Sequence, residues 1–343
     1  MKYANGEDFA IGGCGKLPRI RANSISNPHP IMLRNLLCLS ALLLSPVLAE
    51  ELVFSDAAAA KAKDPDFSVQ GEYAGELDGK KVGVQLVAEG GGKFAAVLYP
   101  GGLPGDGFSG DKATRIKGQA ASGKVTLAGL EGTLDGGKMI FAKGTLNRLE
   151  RQSPTLGAPA PAGAKVLFDG KSADAFENGK LDGDTLMQGI TSKAKFGSFT
   201  LHVEFKIPYL PAARGQGRGN SGCYLQGRYE CQMLDSFGLE GENNECGGFY
   251  TIASPKVNMA FPPLAWQTYD IDYTAATYDA QGKKTANAKA TVKQNGVVIH
   301  ENQELDHATT ASPLQEGPEP GPIYLQDHGN PVRYRNIWLV EKK

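Results

Sequence analysis

The stretch Gly219-Asn220-Ser221-Gly222-Cys223-Tyr224-Leu225-Gln226-Gly227-Arg228-Tyr229-Glu230-Cys231-Gln232-Met233-Leu234-Asp235 decides how this chain is read. It has the form of two β-strands joined by a short turn, with Tyr224 and Gln226 on the first and Glu230 and Gln232 on the second. Side chains alternate faces along a strand, so each pair shares a face. A face carrying Tyr, Gln and Glu suits a saccharide, which offers hydroxyls to polar groups and flat C–H surfaces to a ring. Asn220 and Ser221, at the entry to the first strand, can bind hydroxyls or shape the turn.

The rest of the chain agrees with an all-β reading. With 44 Gly and 20 Pro in 343 residues, the composition favours many short strands and tight turns over long helices. Residues 64–151 form a small all-β accessory domain, a β-meander. Val82, Val84 and Leu86 alternate with polar or small residues, as do Phe94, Ala96 and Leu98. Asp78-Gly79, Gly90-Gly91-Gly92, Ser122-Gly123 and Asp135-Gly136-Gly137 supply the turns. Residues 152–164, QSPTLGAPAPAGA, read as a stiff, extended Pro/Ala linker. Residues 165–343 form the larger domain. Phe199, Leu201, Val203, Phe205 and Ile207 alternate with Thr200, His202, Glu204 and Lys206, a strand buried on one face. Strands follow at 266–273, 288–294, 297–301, 323–326 and 333–340, and Asn295-Gly296 turns the hairpin between 288–294 and 297–301. About ten strands with such loops imply two stacked sheets, a sandwich or jelly roll.

A formal net charge of −1, with 21% charged residues and no block of like charges, lacks the basic footprint of a nucleic-acid or anionic-membrane partner. Near the start, Arg34-Asn35 precedes the apolar run Leu36 to Leu44, and Ser45-Pro46-Val47-Leu48-Ala49 offers small residues before Glu50. This is the pattern of a signal peptide cleaved near Ala49. The run falls short of the about 20 apolar residues that span a bilayer. Residues 1–49 are therefore expected to be an upstream extension plus signal peptide, with translation beginning at Met32. The mature protein is expected to be secreted or periplasmic. Ala-rich 50–63 reads as a helical or frayed start.

Of five cysteines, Cys223, Cys231 and Cys246 remain after such cleavage. Export permits a disulfide. Cys231 with Cys246 is the preferred pairing, which would staple a strand to its following loop, with Cys223–Cys231 across the hairpin as the strained alternative. No C-x-x-C, no pair of histidines at ligand spacing and no Rossmann or phosphate-loop fingerprint occurs, so no metal and no cofactor is predicted. The run Arg214-Gly215-Gln216-Gly217-Arg218-Gly219 reads instead as a mobile rim beside the groove.

The larger domain resembles the 3-keto-disaccharide hydrolase family over about residues 166–340. Leu167-Phe168-Asp169-Gly170, Asn220-Ser221-Gly222, Tyr229 to Ser236 and Trp266-Gln267-Thr268-Tyr269-Asp270 carry the resemblance. It continues through Asn295-Gly296 and Gly321 to Trp338. It implies a concanavalin-like jelly-roll sandwich that acts on a glycoside whose C3 hydroxyl has been oxidised to a ketone. Such a carbonyl acidifies the C2 proton, so a base can remove it and expel the group at C1; water then adds to the enone. The site needs a base at C2, a donor or cation at the C3 oxygen, and an acid at the leaving oxygen. Glu230, Asp235 and His328 are the candidate catalytic residues, with Arg333 and Arg335 facing the enolate oxygen. Asn220, Tyr224, Gln226, Gln232 and Gln326 are the candidates for binding a glycoside or oligosaccharide.

Glu230, Gln232 and Asp235 also have spacing similar to the Glu-x-Asp-x-x-Glu motif of retaining glucanases, whose carboxylates lie about 5–5.5 Å apart. A bulge would be needed to bring Glu230 and Asp235 to one face. Plainer readings stand beside each role. Asp235 equally suits an Asx-type anchor of the next loop, and Glu230 an ion pair with Arg228 or Arg333. His328 suits a loop hydrogen bond, although it titrates in the useful range. His202 reads as an ordinary strand residue, His300 and His307 as surface residues, and Trp266 and Trp338 as core packing. The rival from another class is a non-catalytic carbohydrate-binding module; a conventional two-carboxylate hydrolase is the rival within enzymes.

Overall fold

The computed structural model describes residues 52–110, 113–127 and 129–342. The expected extension, signal peptide, start at Met32 and cleavage near Ala49 lie outside the described residues.

Two short helices open the described chain, α1 (Ala57–Lys63) and α2 (Pro65–Val69). Each starts where the sequence supplies a cap. Asp56 accepts from Ala59 N at 2.8 Å, and Asp64 accepts from Asp66 N at 3.0 Å ahead of Pro65. Eight strands follow: β1 (Gly71–Leu77), β2 (Lys80–Gly90), β3 (Lys93–Pro100), β4 (Thr114–Ala121), β5 (Lys124–Leu127), β6 (Leu130–Asp135), β7 (Lys138–Phe141) and β8 (Gly144–Leu149). Each pairs with the next and β8 returns to β1, so the expected meander closes into an up-and-down barrel. Closure leaves no free edge. Tyr73, Val84, Leu86, Phe94, Ala96, Met139 and Leu146 alternate inward and fill it. Asp78-Gly79 and Ser122-Gly123 take positive φ in two-residue hairpin turns, as their residue types require.

The larger domain contains β9 (Lys165–Phe168), β10 (Phe176–Glu177), β11 (Leu181–Asp182), β12 (Thr185–Met187), β13 (Ile190–Ser192), β14 (Phe199–Lys206), β15 (Asn220–Leu225) and β16 (Tyr229–Leu234). It continues with β17 (Trp266–Thr274), β18 (Thr277–Tyr278), β19 (Lys284–Ala286), β20 (Ala288–Gln294), β21 (Val297–Leu305), β22 (Tyr324–Leu325) and β23 (Arg333–Glu341). One sheet runs β10-β13-β22-β15-β16; the other runs β11-β12-β23-β14-β17-β20-β21, with β9 beside β23. Their facing sides share one core that includes Phe199, Leu201, Val203 and Phe205 from β14 and Cys223, Leu225, Cys231 and Met233 from β15 and β16. This is the jelly-roll sandwich. The Asn295-Gly296 turn joins β20 to β21 as its sequence implies.

The 152–164 segment departs from the extended linker expected of it. Its Ser, Thr and Gly residues dock on the polar outer side of the larger sheet. Ser153 Oγ lies 2.6 Å from Thr268 Oγ1, Thr155 Oγ1 donates to Asp270 at 2.6 Å, and Gly157 N donates to Glu204 Oε1 at 2.5 Å. The carbonyl of Ala158 accepts from Asn336 and from the Trp338 indole. The donors and acceptors of the sheet outweigh the extended preference of its prolines.

Trp266 and Trp338 are half-buried on that same outer side rather than in the core. Trp338 stacks on His202 at 5.0 Å, and the Arg335 guanidinium sits 4.1 Å from the Trp266 ring. His202 is no ordinary strand residue: it is fully buried between Asp270 (2.6 Å) and Glu204 (3.5 Å). His300 is buried too, bonded to the Gly247 carbonyl at 2.7 Å and packed against Phe249, because the loop after β16 covers β21 there. His307 is exposed.

Candidate active site

The β15–β16 hairpin pairs without a register shift, Tyr224 opposite Glu230, Gly222 opposite Gln232 and Asn220 opposite Leu234. These positions turn away from the core, while Ser221, Cys223, Cys231 and Met233 alternate toward the other sheet. Beside β15, β22 pairs Tyr324 with Tyr224, and Gln326 N donates to the Gly222 carbonyl at 2.9 Å. On the far side, Gly247 and Gly248 bond Gln232 and Tyr250 N bonds the Glu230 carbonyl, so this loop covers the edge of β16. A cavity of about 120 Å³ lies on this face, lined by Asn220, Tyr224, Glu230, Gln232, Gln326 and His328. Gln216, Tyr250, Thr310 and Ala311 complete it.

Glu230 is its one carboxylate. Burial to 3% exposure drives its pKa up from 4.5, and a hydrogen bond from Tyr224 offsets part of that, leaving it at about 7. The Tyr224 hydroxyl also accepts from Gln326 Nε2 at 3.0 Å, so a chain Gln326–Tyr224–Glu230 orients the carboxyl. Burial, and Glu230 beside it, push the Tyr224 phenol up, so it remains a donor across the neutral range. A Cβ on Gly222 would fall 2.1 Å from Glu230 Oε1, so only glycine lets the carboxyl lie flat against β15. Gly222→Ala is accordingly expected to swing Glu230 aside and to lower turnover by about 10²-fold. The thermal midpoint should change little, because the Gly222 backbone does not require positive φ. Parallel rate and melting measurements check this.

Several predicted site residues lie elsewhere. With no bulge in the hairpin, Asp235 stays off the Glu230 face; its carboxylate pairs with Arg218 at 2.7 Å and caps Phe237 N. Gln226 leaves the strand at a positive-φ turn and bonds Phe196, Arg228 and Tyr273 in the interior. Arg333 and Arg335 belong to β23 in the other sheet. Arg333 pairs with Asp182 at 2.8 Å and Arg335 with Glu204 at 2.7 Å, so neither reaches the cavity. The predicted Cys231–Cys246 bridge is not formed. Cys223, Cys231 and Cys246 are buried free thiols, and the Cys246 sulfur is engaged by Tyr269 and Gln294. Burial pushes the Cys223 thiol up to about 12.

Gln216, Tyr250, Thr310 and Ala311 were not anticipated as lining residues. Gln216 sits in the expected rim, whose Gly215–Gly217 segment is a short 3-10 turn. Tyr250 and Thr310 come from loops with no local signature; only long-range pairing carries them to the hairpin. Among the described residues, no group of three or more His, Cys, Asp or Glu side chains is arranged to hold a metal ion. No helix of the described residues is long and apolar enough to cross a membrane. A larger cavity, about 370 Å³, opens beside Phe67, Glu72, Arg151 and Trp266. Its buried carboxylate Glu72 is taken up by Arg151 at 2.5 Å and by Gln85 at 3.0 Å. The smaller cavity is therefore the better reaction site.

The fold and this cavity define a β-sandwich protein with a single buried carboxyl in a polar, aromatic-edged pocket. Residues 163–340 match the family described as the 3-keto-alpha-glucoside-1,2-lyase-like domain, which covers more than half of the 343 residues; the chain belongs to that family. A solved structure from Parabacteroides distasonis ATCC 8503, described as a "putative glycosyl hydrolase", is 34% identical with a TM-score of 0.50. The match covers 53% of this chain and 85% of that one. A second structure from that organism, with the same description, is 18% identical with a TM-score of 0.41, covering 53% of this chain and 94% of the other. Comparison with curated proteins gives no match. The family implies a carbohydrate substrate.

Proposed function

We propose that this protein is an exported enzyme that cleaves 3-keto glycosides by elimination followed by hydration. The observation that carries the reading is Glu230, a buried carboxyl at about pKa 7 and the sole carboxylate lining the cavity. A base near neutral is matched to abstracting the C2 proton, which the adjacent ketone has acidified. The electron pair left at C2 forms the C1=C2 bond, with charge passing through the C3 oxygen, and the C1–O bond breaks. Gln326, which keeps a second N–H beyond the one given to Tyr224, and the Tyr250 hydroxyl are the donors for the C3 oxygen. They take the part first assigned to Arg333 and Arg335. His328, at the exposed side of the cavity, supplies the proton to the leaving oxygen. Water then adds at C1, protonation returns at C2, and the net result is hydrolysis.

A conventional retaining or inverting hydrolase needs a second carboxyl across the scissile bond. Asp235, the candidate for it, is bound to Arg218, which favours the single-base route. Export is supported by the apolar run Leu36 to Leu44 and the small residues before Ala49. The deciding assay incubates the protein with a 3-keto disaccharide and its unoxidised parent and follows free monosaccharide. Release from the keto form alone is expected. Release from both would favour a two-carboxylate hydrolase, and binding without release would favour a carbohydrate-binding module.

A further inference from the structure

Three side-chain amides meet at one side of the cavity, and each has its two ends assigned by a backbone group that can act in only one way. The Asn244 carbonyl accepts from Gln216 Nε2 at 2.8 Å, so the Gln216 oxygen points the other way. The Met233 N–H donates to Gln232 Oε1 at 2.9 Å, so the Gln232 amino group is the end that meets Gln216 Oε1, at 3.2 Å. The Gln216 carbonyl accepts from Asn220 Nδ2 at 2.8 Å, and Gln216 Oε1 takes the same amino group at 3.0 Å. Both donors of Asn220 are thereby occupied within Gln216. Asn220 Oδ1, on a side chain 1% exposed at the cavity wall, is left without a hydrogen-bond partner.

We infer that Gln216 is a positioning residue that holds Asn220 with its carbonyl oxygen unpaired at the cavity wall, poised to make the site selective for a sugar hydroxyl at that point. This rests on the carbohydrate reading of the cavity and deepens it. A buried acceptor without a donor is costly, and a ligand hydroxyl relieves that cost. A ketone, an ether or a bare CH₂ in the same place leaves the acceptor unpaired, so the subsite rejects them. The Asn220 amide cannot turn over to present its amino group without breaking two hydrogen bonds to Gln216. The barrel steadies the turn that bears Gln216. Arg218 donates to the Ala88 carbonyl at 3.3 Å while holding Asp235, and Arg214 donates to the Glu89 carbonyl at 3.1 Å. The barrel is thus a structural support of the reaction site, joined to it through this rim.

The test compares kcat/KM for a 3-keto disaccharide with that for analogues each lacking one hydroxyl of the oxidised ring. The wild-type protein should disfavour one analogue by about 10–100-fold, the size of an unpaired buried acceptor. In Gln216→Ala that ratio should fall severalfold, because the Oε1 bond at 3.0 Å is lost and only the backbone carbonyl of residue 216 still holds the Asn220 amino group. Asn220→Ala should remove the preference entirely, and the double variant should add nothing to Asn220→Ala alone. Gln216 is only half-buried, so the alanine variant is expected to fold. An unchanged ratio in Gln216→Ala, an additive double variant or equal use of every analogue by the wild type would overturn the inference and leave the carbohydrate reading standing. Failure of the wild-type protein to bind or turn over any saccharide, keto or not, would overturn both.

Discussion

Glu230→Gln is expected to lower turnover of a 3-keto glycoside by about 10²–10⁴-fold, the usual contribution of a positioned general base. Binding should persist, because Gln keeps the shape and can still accept from Tyr224. His328→Ala should reduce rate less when the leaving group is a good one, since protonation of the leaving oxygen then matters little. The pH profile carries a sign. A base must be ionised, so wild-type kcat/KM should rise with pH and level off above about 7, the value held by Glu230. A profile that falls through neutrality would instead assign Glu230 the role of an acid.

The same substitution should act in the opposite direction on stability. Glu230 binds its proton more tightly in the folded protein (about 7) than its ordinary value of 4.5. Below about pH 4.5 the carboxyl is neutral in both states. As pH rises toward 7 the unfolded chain ionises freely while the buried group resists, so stability falls across that window. Above it the loss is on the order of 3 kcal/mol. Glu230→Gln has no such dependence, and its melting-temperature advantage should grow from pH 5 to pH 8. Equal melting curves at all pH values would mean that burial does not hold the proton on the carboxyl. A reaction site that weakens the fold at working pH is expected where a charge must be poised rather than neutralised.

The second large effect lies on the other sheet. Glu204 has a fully buried side chain that accepts from Arg335 at 2.7 Å, Asn336 at 2.8 Å and Gly157 N at 2.5 Å, with His202 at 3.5 Å. Glu204→Ala should cost about 3 kcal/mol, because it strands buried His202, half-buried Arg335 and the docked 153–158 segment together. Burial alone would raise the Glu204 pKa, but its hydrogen bonds to His202, Asn336, Arg335 and Gly157 hold it at about 2. For His202, burial opposes the proton while Asp270 and Glu204 outweigh it, so its pKa is raised above 6.5. The Glu204 contribution is present above 4.5 and fades as pH falls toward 2. The His202 contribution is complete below 6.5 and fades as pH rises through its raised folded value. The gap between wild type and variant in denaturant titrations should therefore be widest between those limits, near pH 5–6.5. A variant as stable as its parent there would show the network to be dispensable.

The two regions show how far local pattern reaches. The 219–235 stretch announces its strands, its turn and the face shared by Tyr224, Glu230 and Gln232, because strand period and turn chemistry are set within a few residues. Alternation along 199–207 marks the core strand by the same means, and Leu167 to Trp338 carries the family. Yet Asp235, Arg333 and Arg335 look equally suited to catalysis and to ion pairs. A charged residue beside a strand carries no mark of which partner will meet it. Arg218 was unremarkable in sequence and is what holds Asp235 away from the cavity.

What the amino-acid sequence determined by itself was the β architecture, the hydrophilic face of one hairpin and membership of the 3-keto-alpha-glucoside-1,2-lyase-like domain family. Tertiary structure alone decided which side chains share the cavity. It brought in Gln216, Tyr250 and Thr310 from separate loops, closed the barrel, laid 153–158 on a charged sheet and kept three cysteines as thiols. The physical reason is range: face and turn follow from neighbours a few bonds away, whereas burial, and with it the elevated proton affinity of Glu230, arises only when distant segments exclude water together.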